Sequence, residues 1–270
     1  DICKDVYVFY RKQLCGKIDF DDMILEAMVK LPSLNSFKYK YIIVDEFQDI
    51  SYSRMRFLQS LIKHGDSKLF AVGDDWQSIY RFSGCDIGIF LNFGKYFEMA
   101  TINKLSTNFR NSVDLHKIVE SFITSNPEQM KKEIECKSTL TTPLKIMFHE
   151  NDKNSALDSV LSNIAGQNPM ASVLILGRNN YDIDKLKENR SMWNISRESV
   201  MYNRFPGLRI SLKTVHGSKE LEDDCVVLLN NDDSKTGFPN KIIDDPIRTL
   251  VLSDKSEFKF AEERRLYYER

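Results

Sequence analysis

Short apolar runs alternate with amphipathic segments along most of this chain. Most of the runs are rich in β-branched or aromatic residues and are bounded by turn-forming residues, which is the pattern of buried strands. They predict strands at residues 41–44, 69–72, 97–105, 144–148, 173–176, 208–215 and 226–229. Apolar residues spaced three and four apart predict helices between the strands. The helices are expected at 1–31 (two helices, the second capped by Asp19), from Ser51 or Ser53 to Gly65, from Val113, at 156–164 and at 181–189.

This alternation of elements predicts an α/β fold in which parallel sheets are flanked by helices. A chain of 270 residues is long enough for two ordinary domains. A new series of helices and strands begins after residues 105–112. We therefore expect a first domain over residues 1–107 and a second domain over residues 108–270.

Composition limits the classes of protein to be considered. The 38 basic and 39 acidic side chains give a formal net charge of -1, so any nucleic-acid binding must come from a local cluster. The 5 cysteines contain no close pair and the 4 histidines lack metal-ligand spacing, so neither a disulfide framework nor a zinc site is indicated. No apolar run approaches the ~20 residues of a membrane span. We expect a cytoplasmic protein with reduced thiols and no membrane partner.

Polar clusters follow the first two predicted strands. Asp45 and Glu46 come directly after strand 41–44, and a second cluster starts at Gly73, where strand 69–72 ends. The helix between the strands implies a parallel crossover, so both clusters should lie at the sheet edge where α/β folds bind ligands. One carboxylate can hold a hydrated magnesium ion while its neighbour activates a water molecule. An acidic turn without function would contain the same pair, and the pair alone does not separate the two interpretations.

Five clusters in a fixed order are more specific. They are Asp45-Glu46-Phe47-Gln48-Asp49, Gly73-Asp74-Asp75-Trp76-Gln77-Ser78-Ile79-Tyr80-Arg81-Phe82, Asn108-Phe109-Arg110, Thr214-Val215-His216-Gly217-Ser218-Lys219 with Glu222, and Glu262-Glu263-Arg264-Arg265-Leu266-Tyr267-Tyr268. In this order they resemble motifs II, III, IV, V and the start of motif VI of superfamily-one DNA helicases of the UvrD/Rep type. Trp76, the run at 126–132 and the turn at 237–239 resemble the helicase IV branch of that family. The resemblance implies two RecA-like domains of the P-loop NTPase type, the first of them incomplete.

The resemblance also implies ATP and Mg2+ as cofactors, with ATP bound between the two domains. By position, Asp45 would hold the metal through water and Glu46 would be the general base for hydrolysis. Gln77 would sense the γ-phosphate, and Arg110 would act as an arginine finger. Phosphoryl transfer depends mainly on positioning and charge stabilisation, which suits such a set. Two further residues are expected to bind the nucleotide, namely Phe109 against adenine and Glu222 beside it.

For DNA, the resemblance implies a single strand that crosses both domains. Tyr80 and Phe82 match aromatic residues that stack on bases, and stacking of this kind is worth ~1–3 kcal/mol per base whatever the sequence. The motif V turn matches residues that contact the DNA backbone, which positions a strand without reading its bases. The residues expected to make these contacts are Thr214, His216, Ser218 and Lys219.

The sequence departs from the family pattern in three places. The 270 residues contain no Gly-x-x-x-x-Gly-Lys-Ser/Thr, the phosphate loop of motif I. Because motif I precedes motif II in the family, we expect it before Asp1, and we expect this segment alone to be inactive. The family's motif VI continues beyond Tyr268, and Arg270 is out of register for the motif VI arginine. Glu220 replaces a glycine that usually follows the motif V lysine, so the backbone there should be strained or rearranged.

We therefore expect the chain to be part of an ATP-dependent DNA helicase that moves 3′ to 5′ along single-stranded DNA. Its partners would be single-stranded DNA and junctions with duplex, and RNA polymerase or repair proteins are further candidates. One alternative is an ATPase of the same fold that remodels RNA polymerase. A second is a non-catalytic nucleic-acid or protein interaction module. The presence of Asp45, Glu46, Gln77 and Arg110 argues against the second alternative.

Overall fold

The computed structural model describes residues 2–34, 39–149, 152–196, 199–242 and 258–268. The described chain divides into two units. Unit 1 contains residues 2–75 and 80–101, whereas unit 2 contains Trp76–Ile79 and the described residues from Ile102 onward. Four residues of motif III therefore belong to unit 2, although the residues on either side of them belong to unit 1.

The described residues of unit 1 form a short parallel sheet and five α-helices. Its elements are α1 (Ile2–Gln13), α2 (Phe20–Lys30), β1 (Tyr41–Val44), α3 (Tyr52–Gly65), β2 (Lys68–Ala71), α4 (Ile87–Leu91) and α5 (Phe93–Tyr96). Strands β1 and β2 are parallel, with Val44 paired to Ala71, which confirms the crossover predicted from α3. Asp19 caps α2, as predicted, and Ser51 caps α3.

The core of unit 1 is built around the turn that follows β1. Phe47 is 1% exposed, and its ring centroid lies 5.2 Å from the ring centroid of Phe93 and 5.9 Å from that of Phe97. Met55 and Leu58 on α3 are buried in the same cluster. Because the residue directly after Glu46 belongs to this core, the acidic pair is fixed to a rigid base rather than to a loose loop.

Unit 2 is larger, and its described residues form three separate sheets. Its elements are β3 (Thr107–Ser112), α6 (Val113–Ile123), β4 (Glu135–Ser138), α7 (Lys153–Gln167), β5 (Ser172–Gly177), α8 (Asn180–Glu188), β6 (Trp193–Ile195), β7 (Val200–Tyr202), β8 (Arg209–Thr214), β9 (Cys225–Leu228) and α9 (Ala261–Tyr268). The strands β8, β5 and β9 form a parallel sheet in that order, β3 and β4 form a parallel pair, and β6 and β7 form an antiparallel hairpin. Residues 173–176 of the central strand β5 are all buried. The α/β fold with parallel sheets flanked by helices is confirmed.

Two of the predicted strands are wrong. Residues 97–105 form no strand, and β3 begins only at Thr107. Met99 is 100% exposed and Leu105 is 87% exposed, so these apolar side chains face solvent. Residues 144–148 also form no strand, and Phe148 is 91% exposed. An apolar run becomes a strand only where a neighbouring strand pairs with its backbone, and among the described residues neither segment has such a partner.

Candidate active site

The acidic pair lies where β1 ends. Asp45 is exposed and Glu46 is half-buried. The backbone N–H of Phe47 donates to the carbonyl of Val72 at 2.8 Å, and the N–H of Val72 donates to the carbonyl of Val44 at 2.9 Å. These bonds join the carboxyl ends of β1 and β2, so within unit 1 the acidic pair and the start of motif III share one edge of the sheet.

Glu46 has an unusual backbone conformation. Its φ of 50° and ψ of 42° lie in the left-handed region, which costs a residue with a Cβ atom about 1–2 kcal/mol. The conformation is held by its neighbours, since Phe47 is fixed in the core and the Asp45 carboxylate accepts the Glu46 N–H at 2.9 Å. Such strain tends to concentrate where a side chain must be aimed in one direction. Here it turns the Glu46 side chain toward the carboxyl end of β2.

Gln48 connects the two clusters of unit 1. Its side chain is fully buried, and its Nε2 donates to Glu46 Oε2 at 2.6 Å. Its Oε1 accepts the backbone N–H of Asp74 at 2.9 Å. No pattern in the sequence singles out Gln48 among the residues of motif II, because only its burial and its two bonds distinguish it from an ordinary polar residue of a turn.

Trp76 anchors the four motif III residues that belong to unit 2. Its ring is fully buried, and its Nε1–H donates to the carbonyl of Met130 at 2.9 Å. The Lys132 ammonium lies 4.3 Å from the ring centroid, and the ring of Tyr268 meets it edge-on at 5.3 Å. Trp76 is therefore part of the core of unit 2.

Gln77 follows this anchor directly. Two residues further on, Ile79 is fully buried, and the buried Arg265 on α9 donates through Nε to the carbonyl of Ser78 at 2.7 Å. Gln77 itself is only half-buried. Its backbone is thus fixed on both sides.

The rings of Tyr80 and Phe82 form a pair in unit 1. Phe82 is 52% exposed and Tyr80 is half-buried. Their ring centroids lie 6.0 Å apart at an interplanar angle of 66°, an edge-to-face arrangement. The pair presents aromatic surface to solvent at the position where motif III returns to unit 1.

Arg110 and Glu222 form an ion pair within unit 2, and both side chains are more than half exposed. The sequence places these two residues in different motifs, and the structure brings them together. The Asn108 side chain accepts the N–H groups of Arg110 and Asn111 at 2.8 and 3.0 Å. The β3–β4 register is irregular between residues 108 and 112, so the ladder is interrupted at Phe109, which is 79% exposed.

The motif V turn follows β8. The Thr214 Oγ1 accepts the N–H of Gly217 at 3.1 Å, and His216 and Lys219 are half-buried. Ser218 is fully buried, and its hydroxyl donates to the carbonyl of Val215 at 3.0 Å. Ser218 therefore supports the turn from within, through a bond to the backbone of the same turn.

Glu220 occupies the position at which strain is expected. Its φ is 70°, in the left-handed region that favours glycine. The expected backbone conformation is therefore present, with a glutamate in the place of the glycine.

Metal-binding potential is limited to small sets of ligands. Among the described residues, no group of three or more His, Cys, Asp or Glu side chains is arranged to hold a metal ion. The cysteines are all free thiols. In the part of the chain that the structure describes, no helix combines the length and apolar character needed to cross a bilayer.

Comparison with known proteins decides the family. Residues 2–98 match the model of the UvrD/REP helicase N-terminal domain. The chain is 34% identical over 254 residues to DNA helicase IV of Escherichia coli K12, an alignment that covers 93% of the chain and 35% of that protein. The chain belongs to the UvrD/Rep helicase family. It is also 25% identical over 263 residues to the ATP-dependent DNA helicase PcrA of Bacillus subtilis, covering 92% of the chain and 34% of that protein.

A third UvrD/Rep relative gives the same result. The chain is 27% identical over 262 residues to the ATP-dependent DNA helicase Rep of Buchnera aphidicola, covering 91% of the chain and 38% of that protein. The chain thus spans about a third of the length of these relatives. The matched domain model includes the acidic pair, Gln77 and the aromatic pair Tyr80 and Phe82. Arg110 and the motif V turn lie outside it.

Proposed function

We propose that this chain forms part of an ATP-dependent DNA helicase that couples ATP hydrolysis to 3′-to-5′ movement along single-stranded DNA and to duplex unwinding. The observation that carries the proposal is the acidic pair Asp45–Glu46 at the carboxyl end of β1, with the start of motif III, residues 73–75, on the same sheet edge of unit 1. All three relatives described above are named DNA helicases, which supports the choice of reaction and of polymer.

The residues of unit 1 fit a magnesium–nucleotide complex. Mg2+ keeps several of its waters and is bound through one or two carboxylates together with phosphate oxygens, so it needs no cluster of three protein ligands. Asp45 is exposed and can hold such a hydrated ion. Bound MgATP supplies a polarised γ-phosphoryl group and the energy of its hydrolysis. The phosphates themselves require hydrogen-bond donors beyond the acidic pair.

Glu46 is the proposed general base. It is half-buried, fixed in direction by its backbone conformation and held by Gln48 at 2.6 Å. A base held in one orientation can take a proton from an attacking water without first reorganising. Gln77 is the proposed sensor of the γ-phosphate, because its half-buried side chain stands on a backbone that is anchored on both sides.

Arg110 is the proposed arginine finger. Its pairing with Glu222 is between exposed side chains, and such pairs are worth only about 0–1 kcal/mol. Exchanging that carboxylate for a phosphate therefore costs little. Glu222 would keep the guanidinium extended in the absence of nucleotide, and the exposed ring of Phe109 would stack on adenine.

Single-stranded DNA and junctions with duplex are the proposed polymer substrates. Tyr80 and Phe82 offer exposed aromatic surface for base stacking, a contact that tolerates every base. Thr214, His216 and Lys219 are proposed to contact phosphates, with the buried Ser218 holding their turn in place. RNA polymerase and repair proteins are proposed only as further partners of the whole protein.

The proposal is tested by measuring DNA-stimulated ATP hydrolysis of the full-length protein and of its Glu46→Gln variant. A general base contributes about 100- to 10,000-fold to rate, so kcat should fall by at least about 100-fold while the KM for ATP changes little. The matched control is Glu26→Gln on α2, whose carboxylate bonds only to Lys30 among the described residues. This control should retain full activity.

Strand displacement on substrates with 3′ and with 5′ single-stranded tails tests the polarity. Unwinding only from the 3′ tail is expected, and unwinding only from the 5′ tail would refute the polarity. ATP hydrolysis that is unaffected by Glu46→Gln would refute the assignment of the base. ATP hydrolysis that is stimulated by RNA polymerase and not by DNA would refute the helicase function and support a polymerase-remodelling ATPase. A full-length protein without ATP hydrolysis under any condition would indicate an interaction module.

A further inference from the structure

Gln48 is the most completely buried polar side chain beside the acidic pair. It is 0% exposed and makes a bond at each end of its amide group. A buried polar side chain is tolerated only when it is hydrogen-bonded, so both bonds are needed for it to lie there. Its partners belong to the two clusters at the end of the sheet, namely the Glu46 carboxylate and the Asp74 backbone.

The chemistry of the two partners fixes which end of the Gln48 amide faces each of them. The backbone N–H of Asp74 can only donate, so it must face the amide oxygen of Gln48. The NH2 group of Gln48 must then face Glu46, to which it donates at 2.6 Å. The reversed amide would set a donor against a donor and leave the carboxylate facing an oxygen. One orientation of Gln48 is therefore selected.

Gly73 provides the space that this arrangement needs. A Cβ atom at residue 73 would lie 2.6 Å from Gln48 Oε1 and 2.8 Å from the ring of Phe90. Real Cβ atoms do not come this close, so another residue here would force the Gln48 amide and the Phe90 ring to shift. The sequence therefore keeps the smallest residue beside the Gln48 side chain.

We propose that Gln48 is a positioning residue that holds the Glu46 carboxylate in its working orientation and ties it to the start of motif III. This inference rests on the proposed function, because it concerns the base of that reaction. Glu46 stands in a left-handed backbone conformation, and its carboxylate bond to Gln48 fixes the remaining rotations of the side chain. Because Gln48 also accepts from Asp74, a shift of the motif III backbone moves the carboxylate.

The test is a double-mutant cycle on ATP hydrolysis by the full-length protein. Gln48→Met keeps the length of the side chain and removes its bonds to Glu46 and Asp74. The rate of ATP hydrolysis is compared with and without this substitution, once with Glu46 intact and once in the Glu46→Gln background. Loss of a hydrogen bond to a charged group should lower the DNA-stimulated kcat by about 10- to 100-fold, with little change in the KM for ATP. In the Glu46→Gln background, measured by single turnover, the same substitution should have no further effect.

A merely structural role predicts a different result, because damage to the fold would lower the rate in both backgrounds by the same factor. The matched control is Gln59→Met, which removes a half-buried glutamine that donates to the carbonyl of Tyr96 at 2.8 Å. It should leave kcat unchanged. If Gln48→Met does not fold, Gly73→Ala replaces it in the cycle, since it displaces the same amide without removing it.

The two failures are distinguishable. If the unaltered protein lacks DNA-stimulated ATP hydrolysis, the proposed function is wrong. If the unaltered protein is active and loses activity on Glu46→Gln, while the effect of Gln48→Met is equal in both backgrounds or absent, the base is right and the positioning role of Gln48 is refuted.

Discussion

Glycine at position 220 should stabilise unit 2. Glu220 has a φ of 70°, where the Cβ atom of an L residue costs about 1–2 kcal/mol. The side chain is exposed and, among the described residues, makes no hydrogen bond or ion pair that would offset this cost. Glycine removes the steric cost, but it also makes the unfolded chain more flexible, which costs about 0.4–1 kcal/mol. The net expectation for Glu220→Gly is a gain of about 0.5–1 kcal/mol.

Tryptophan fluorescence during thermal unfolding measures this gain selectively. Trp76 and Trp193 are the only tryptophans of the chain, and both are buried in unit 2, the unit that contains Glu220. For a domain of about 150–250 residues, ~1 kcal/mol shifts Tm by about 2–4 °C. An increase of about 1–4 °C is therefore expected for the glycine variant.

Glu220→Ala is the control for this experiment, because it removes the same side chain but keeps the Cβ atom. Its Tm should stay close to that of the unaltered protein. If alanine stabilises unit 2 as much as glycine does, the gain comes from losing a negative charge and not from the backbone. If glycine lowers the Tm, the left-handed conformation at residue 220 is not the source of strain.

Three further predictions concern stability. Trp76→Ala should lower the unfolding free energy of unit 2 by about 3–5 kcal/mol, measured by Trp193 fluorescence during a urea titration. A loss below ~1 kcal/mol would show that the indole is not part of the core. Glu263→Ala should cost about 3–5 kcal/mol, because it removes the carboxylate that pairs with Arg178, whose side chain is only 10% exposed. Glu26→Ala in the exposed Lys30 pair should cost less than ~1 kcal/mol in the same urea titration, and equal costs would contradict this. Hydrogen bonds from the backbone and side chain of Ser172 lower the pKa of Asp224 below its ordinary value of 3.8. The ionised carboxylate therefore stabilises the folded state at neutral pH, and this stabilisation is lost as the pH falls below 3.8 and through the lowered pKa. The difference in urea midpoint between the unaltered protein and Asp224→Asn should shrink between pH 7 and pH 3, and a constant difference would contradict this origin.

The strand–helix alternation was sufficient to predict the main elements and their parallel arrangement. Strand 41–44, the capped helices of unit 1 and the buried strand β5 all appear where apolar periodicity places them. The errors at 97–105 and 144–148 arose because apolar composition does not reveal whether a segment has a partner strand. The hairpin β6–β7 was missed because its strands have only three residues each, too few for a period to show.

Only part of the candidate site could be predicted from the sequence. The acidic pair and the motif III residues could be found because they follow strands whose direction is set by the crossover. The Arg110–Glu222 pair brings together residues about a hundred positions apart, and no local pattern carries such a contact. Gln48 and Gly73 were overlooked for a related reason, since the role of each depends on a close approach across the sheet edge.

The placement of Trp76 has a consequence for how the protein is made. The core of unit 2 includes an indole that the ribosome synthesises 26 residues before Ile102, where the longest stretch of that unit begins. A polypeptide that began at Ile102 would have a hole in place of this side chain, with the carbonyl of Met130 left without its donor. Unit 2 therefore cannot be separated intact by one cut in the backbone. Its core needs residues 76–79, which lie in the sequence between two segments of unit 1.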